Sequence, residues 1–213
     1  MLHTINITLH VLAGTTAIFI ASVAYATKKG GTTHRLYGRI FLALMGVVII
    51  TALNGVIFFR DRPFLTVVTL FSFYTSYSGY RVLKTKAEGF QLVDFAVMLL
   101  VLGMATSFVM RISASNEVWH TSVVYYLLAY VFAIVGFDMT RYFFPHLIRH
   151  PRFWVYDHIY KMTASFGALI SAGAGTVLGA WPPYNQIIPA IFSTIWLGGC
   201  LIYFSKYARQ KAL

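Results

Sequence analysis

Apolar residues occur in long runs broken by short polar stretches, and the alternation repeats seven times along the chain. About 20 mostly apolar residues are needed to cross the hydrocarbon core of a bilayer. Seven stretches reach that length: 4–26, 35–58, 63–83, 91–112, 118–144, 154–181 and 186–206. The connections between them leave no room for a soluble domain. The pattern therefore predicts a single all-α domain over residues 1–213, a polytopic membrane bundle of seven transmembrane helices. The first run starts almost at Met1, with no basic residues before it and no small-residue cleavage site after it, so it reads as a first span rather than a removable signal peptide.

Two of the runs carry further signals. Span 3 carries Ser72, Tyr74, Thr75, Ser76, Tyr77, Ser78 and Tyr80. It is too polar to face lipid around its whole circumference, so its hydroxyls are expected to point inward, lining a cavity or satisfying one another and nearby carbonyls. In span 6, Gly167, Ser171, Gly175 and Gly179 recur every four residues. Such a row of small side chains lets another helix approach closely, as a seam within the bundle or as the contact face of a homo-oligomer.

Composition agrees with the pattern. Hydrophobic residues make up 58% of the chain and charged residues 11%, against a charged fraction of about 25% in soluble domains. The formal net charge of +11 would suit nucleic acid if it were spread over a soluble surface. Fourteen of the 17 Lys and Arg residues instead fall at one set of span ends, and only Arg60, Arg62 and Arg111 at the other. Because cytoplasmic loops hold the Lys/Arg excess, the N-terminus is expected outside and the C-terminus in the cytoplasm. The chain then reads as a multi-pass protein of the cell inner membrane, with the lipid bilayer and not nucleic acid as its partner. The lone Cys200 excludes an internal disulfide and any multi-cysteine metal or iron–sulfur site.

Charges and histidines inside spans are costly and mark candidate sites. Near the inner ends lie Asp94, Asp138 and Asp157, together with Arg35, Arg39, Arg81, Arg141 and Lys161, and Tyr80 at the same depth. The helix N-termini of spans 2, 4 and 6 add partial positive charge on that side. The expectation is a cytoplasm-facing basic pocket for a small anionic ligand, held by Arg35, Arg39, Tyr80, Arg81, Asp94, Asp138, Arg141 and Lys161. Four histidines form an outer pair, His10 with His120, and an inner pair, His34 with His158. Paired imidazoles are the axial-ligand set for haem b, and they also suit a divalent metal. The structural alternative for His10 is a hydrogen bond to a neighbour such as Asn54. His146 and His150, spaced H-x-x-x-H between Pro145 and Pro151, are a further zinc-ligand spacing. No phosphate-binding glycine loop, nucleophile elbow or dinucleotide fingerprint is present.

At His10-x-x-x-Gly14, His34-Arg35-Leu36-Tyr37-Gly38-Arg39 and Asp157-His158-Ile159-Tyr160-Lys161-Met162, the chain resembles uncharacterised bacterial multi-pass membrane families labelled domains of unknown function. The resemblance covers most of the chain and implies no activity. The chain is also faintly similar to cytochrome b561-type proteins, whose helices carry H-R-x-x-G-like sequences and paired histidines; that similarity implies haem binding.

The residues leave several functions open. The leading expectation is a haem- or metal-binding redox protein that uses His10 with His120 and His34 with His158, with the basic pocket receiving an anionic donor. The alternatives are a transporter or receptor for a small anionic ligand, and a metal-dependent intramembrane hydrolase in which His34, His158 and an Asp hold the metal and its nucleophilic water. A structural or assembly partner without a site is the remaining possibility.

Overall fold

A computed structural model of the protein describes residues 1–59, 63–86, 91–113, 118–147, 152–181 and 184–210. Its elements are α1 (Leu2–Ala26), α2 (Thr32–Phe58), α3 (Pro63–Thr85), α4 (Leu92–Ser113), α5 (Val118–Phe143), α6 (Phe153–Val177) and α7 (Tyr184–Gln210), with one 3-10 turn at Pro145–Leu147. The fold is all-α, and no strand occurs among the described residues. His150 of the H-x-x-x-H spacing lies outside them, and His146 sits on the 3-10 turn.

Five helices (α1, α2, α4, α5 and α7) are long and apolar enough to cross a membrane. Position explains why α3 and α6 differ. Helix α3 packs against α2, α4, α5 and α6, while α6 packs against α1, α3 and α7. The two central helices are screened by the other five, so they can carry polar groups that would be costly against lipid. The outer helices display Phe19, Ile50, Leu100 and Phe192 on their surfaces. An apolar skin of this kind fits a helical membrane bundle.

Packing divides into two clusters. In one, Val67, Phe71 and Tyr74 of α3 meet Met98, Val101 and Ala105 of α4 and Leu128, Val131 and Val135 of α5. In the other, Ala13, Ala17 and Ala21 of α1 meet Phe41, Met45 and Val48 of α2 and Leu169 of α6. Alanine at every fourth position presents a row without bulk, which lets α1 and α2 close on each other.

Helix α6 ends at Val177 rather than running on to 181. The reason lies in the next helix. The Asn185 side chain, in the first turn of α7, donates Nδ2 to the Leu178 carbonyl at 3.0 Å and to the Gly175 carbonyl at 3.3 Å. Carbonyls at a helix end have no partner within the helix, and Asn185 supplies one. The small-residue row of α6 also has a partner inside the chain. A Cβ on Gly167 would lie 2.6 Å from the Cβ of Ser193 on α7, and one on Gly175 would lie 3.4 Å from Gln186 on α7. At these two positions the row forms a seam with α7 within the bundle, and Gly179 falls beyond the helix.

Candidate functional site

Two carboxylates and two cations meet where α3, α5 and α6 converge. Asp157 and Lys161 lie one turn apart on α6, and Asp138 and Arg141 one turn apart on α5, so each pair shares a helix face. Lys161 Nζ donates to Asp138 Oδ2 at 2.6 Å and to Asp157 Oδ2 at 3.0 Å. Arg141 Nη1 donates to Asp157 Oδ2 at 2.6 Å and stands 3.5 Å from Asp138 Oδ1. From α3, the Tyr74 hydroxyl donates to Asp138 Oδ2 at 2.6 Å. Lys161 is 1% exposed and Asp138 fully buried. With all four groups ionised the set is neutral, the condition under which buried charges are tolerated. Gly79 of α3 makes room for it, because a Cβ there would sit 2.9 Å from the Lys161 Cβ.

A third carboxylate, Asp94, is closed off on its own. Arg81 grips Asp94 through Nε at 2.7 Å and Nη2 at 2.9 Å, and Tyr77 donates to the same carboxylate at 2.8 Å. The backbone N–H of Gln91 donates to Asp94 Oδ2 at 2.8 Å. That bond is the half of a capping box in which the third helical residue reaches back over the helix start. Asp94 thereby starts α4 and docks it on α3.

The single basic pocket expected from the sequence is thus divided. Arg81, Arg141 and Lys161 are neutralised by Asp94, Asp138 and Asp157. Arg39 is not: it makes no ion pair or hydrogen bond among the described residues. Its side chain borders a cavity of about 390 Å³ between α2 and α3. Helix α2 lines this cavity with Arg39, Leu42, Gly46 and Ile49, among others. Helix α3 contributes Phe73, Ser76, Tyr77 and Tyr80. The Ser76 hydroxyl is paired with Ser165 at 2.6 Å, and the Lys84 ammonium lies over the Tyr80 ring at 5.0 Å. Other hydroxyls of α3, on Thr69, Thr75 and Ser78, bond to carbonyls of their own helix. Ser76 and Tyr77 thus border the cavity while their hydroxyls are satisfied by Ser165 and Asp94.

The turn before α2 explains much of the basic stretch around it. Gly30 adopts φ 74°, a left-handed conformation that suits glycine. The chain then folds back on the end of α1. Thr27 Oγ1 donates to the Ala24 carbonyl at 2.9 Å, His34 Nδ1 to the same carbonyl at 3.0 Å, and Lys29 Nζ to the Tyr25 carbonyl. Basic groups that bond the last carbonyls of a helix also complement its dipole. Burial of the Lys29 ammonium there draws its pKa below the ordinary lysine value. Arg35 stays exposed.

The other histidines are held in a similar way. His158 Nδ1 lies 2.8 Å from the Gly79 carbonyl, bridging α6 to α3. His10 Nδ1 is 2.9 Å from Thr51 Oγ1 and 3.2 Å from the Val48 carbonyl, so its partner on α2 is Thr51 and not Asn54. The His120 side chain lies outside the described residues. Among the described residues no three His, Cys, Asp or Glu side chains converge as a metal-ligand set. For the hydrolase alternative, two of the candidate aspartates, Asp138 and Asp157, are both bonded by Lys161.

The expected ligand set omits Tyr74 and Asp157. The i,i+4 spacing of Asp157 and Lys161 is the signal that points to the second. Nothing in the sequence pairs Tyr74 with Asp138, 64 positions away. Compared with protein-family models, curated proteins and solved structures, the chain matches none of them.

Proposed function

We propose that this chain is a multi-pass protein of the cell inner membrane that acts as a transporter or receptor for a small anionic ligand. In this reading all seven helices span, with the N-terminus outside and the C-terminus in the cytoplasm. The distribution of basic residues supports that orientation. The observation that carries the functional reading is the α2–α3 cavity, bordered by the exposed side chain of Arg39, which no carboxylate neutralises among the described residues. Its volume lies within the usual 300–1,000 Å³ or so of small-molecule sites. An uncompensated guanidinium beside tyrosines is a receiver for a carboxylate or phosphate. The paired sets at Asp138 and Asp94 tie α3, one of its two walls, to α4, α5 and α6. Replacing Arg39 by Gln is expected to weaken ligand binding or flux by about tenfold or more while leaving the unfolding transition in place. Binding or flux unchanged in that variant would refute the assignment.

A second reading, a haem- or metal-binding redox protein, has one observation in its favour. A backbone carbonyl only accepts hydrogen bonds, so His34 and His158 each carry a proton on Nδ1, which leaves Nε2 as the ring nitrogen that a metal would take. Histidine ligands of metals are commonly held in this way. The expected result of that reading is a Soret band in the purified protein that disappears in His158→Ala. A colourless, metal-free preparation contradicts it.

A further inference from the structure

The α2–α3 cavity has a polar end and an apolar end. Helices α2 and α3 follow one another and pack antiparallel, which places Arg39, near the start of α2, beside Tyr80, near the end of α3. From Arg39 the wall runs along one face of α2 through Leu42 and Gly46 to Ile49. That distance is ten residues of helix, about 15 Å at 1.5 Å per residue. Opposite it, Phe73 continues the apolar wall of α3. The hydroxyls of Ser76 and Tyr77 are spent on Ser165 and Asp94, so they do not make the middle of the groove hydrophilic. One end thus offers a cation and the rest offers hydrocarbon and aromatic surface.

We infer that the occupant is a single-chain anionic amphiphile, with its carboxylate-class head group on Arg39 beside Tyr80 and its apolar tail lying along Gly46 toward Ile49. The inference rests on the anion-binding reading above and names its ligand class. Charge complementarity at Arg39 selects the head group, and a slot between only two helices selects one tail rather than two. Gly46 provides a clean way to test the tail half. A Cβ on Gly46 meets no heavy atom within 4 Å, so a side chain added there starts in open space.

The test uses the purified full chain in nanodiscs of zwitterionic lipid, with palmitate, inorganic phosphate and phosphatidylglycerol as separate probes. Palmitate is expected to bind saturably, and Arg39→Gln and Gly46→Leu are each expected to weaken it about tenfold or more. Gly103→Leu, on α4 where a Cβ also meets nothing within 4 Å, is expected to leave binding unchanged. Palmitate binding that ignores both Arg39→Gln and Gly46→Leu overturns the inference. If phosphate binds and is lost in Arg39→Gln while palmitate does not bind, the amphiphile class falls and the anion site stands. If phosphatidylglycerol binds in a Gly46-dependent way and palmitate does not, the occupant is a bilayer lipid and the single-chain assignment is overturned. If no probe binds the native chain, the inference falls together with the anion reading.

Discussion

Replacing Lys161 by Met lowers the stability of the bundle by about 3–5 kcal/mol. The native set of Asp138, Asp157, Arg141 and Lys161 is neutral, and Lys161 is its most central member, bonded to both carboxylates at 2.6 and 3.0 Å. Its removal leaves two carboxylates facing one guanidinium, with Asp138 fully buried and its nearest remaining cation, Arg141 Nη1, at 3.5 Å. An uncompensated buried charge dominates the loss, because the desolvation already suffered is no longer repaid. The double variant Lys161→Met/Asp138→Asn restores the balance, since Asp157 and Arg141 keep their 2.6 Å contact. It is expected to regain a substantial part of the lost stability. Equilibrium unfolding in mixed micelles checks both variants. A single variant costing less than about 1 kcal/mol, the range of a solvated pair, or a double variant no better than the single, contradicts the closed network.

Gly167→Ala is the second large effect, at about 1–3 kcal/mol of overpacking. The added Cβ meets the Cβ of Ser193 at 2.6 Å and its Oγ at 2.7 Å. A Cβ is fixed to the backbone and cannot swing aside, so α6 and α7 must separate. Elsewhere the two helices are joined by the Asn185 bonds at the end of α6 and by the edge-on contact of Tyr156 with Phe204. Ser193→Gly, added to Gly167→Ala, removes the obstacle and is expected to recover most of the loss. Gly173→Ala, on the same helix but with nothing within 4 Å, is expected to cause no loss and to stabilise by up to about 1 kcal/mol. Equal effects at positions 167 and 173 would show that the α6–α7 seam is not closed at Gly167.

Much of this fold was legible in the chain because lipid-facing helices must be apolar over their full length. The runs of α1, α2, α4, α5 and α7 carry that signal directly. The central helices α3 and α6 carry it less strongly, since neighbours shield them and their polar residues have partners inside the protein. The candidate site was half legible. That Asp94, Asp138, Arg81, Arg141 and Lys161 gather toward one end follows from their positions along the spans. Which cation each carboxylate takes depends on how far each helix is rotated, and a sequence without its packing does not contain that angle. For this reason one open basic pocket was expected, and two closed ion-pair sets beside a groove were found. The stretch from Lys28 to Arg39 divides in the same way. Lys29 and His34 finish α1, whereas Arg39, beyond the turn and with no such duty, borders the cavity. For His10 the hydrogen-bonded neighbour on α2 is Thr51 rather than Asn54.

The central claim is that Arg39 and the groove it borders hold an anionic ligand. Its most direct measurement is palmitate binding to the purified chain in zwitterionic nanodiscs, native against Arg39→Gln, with both proteins shown to unfold at the same denaturant concentration. Saturable binding by the native chain, weakened about tenfold or more by Arg39→Gln, is the result predicted. Equal binding by the two equally stable proteins would contradict it.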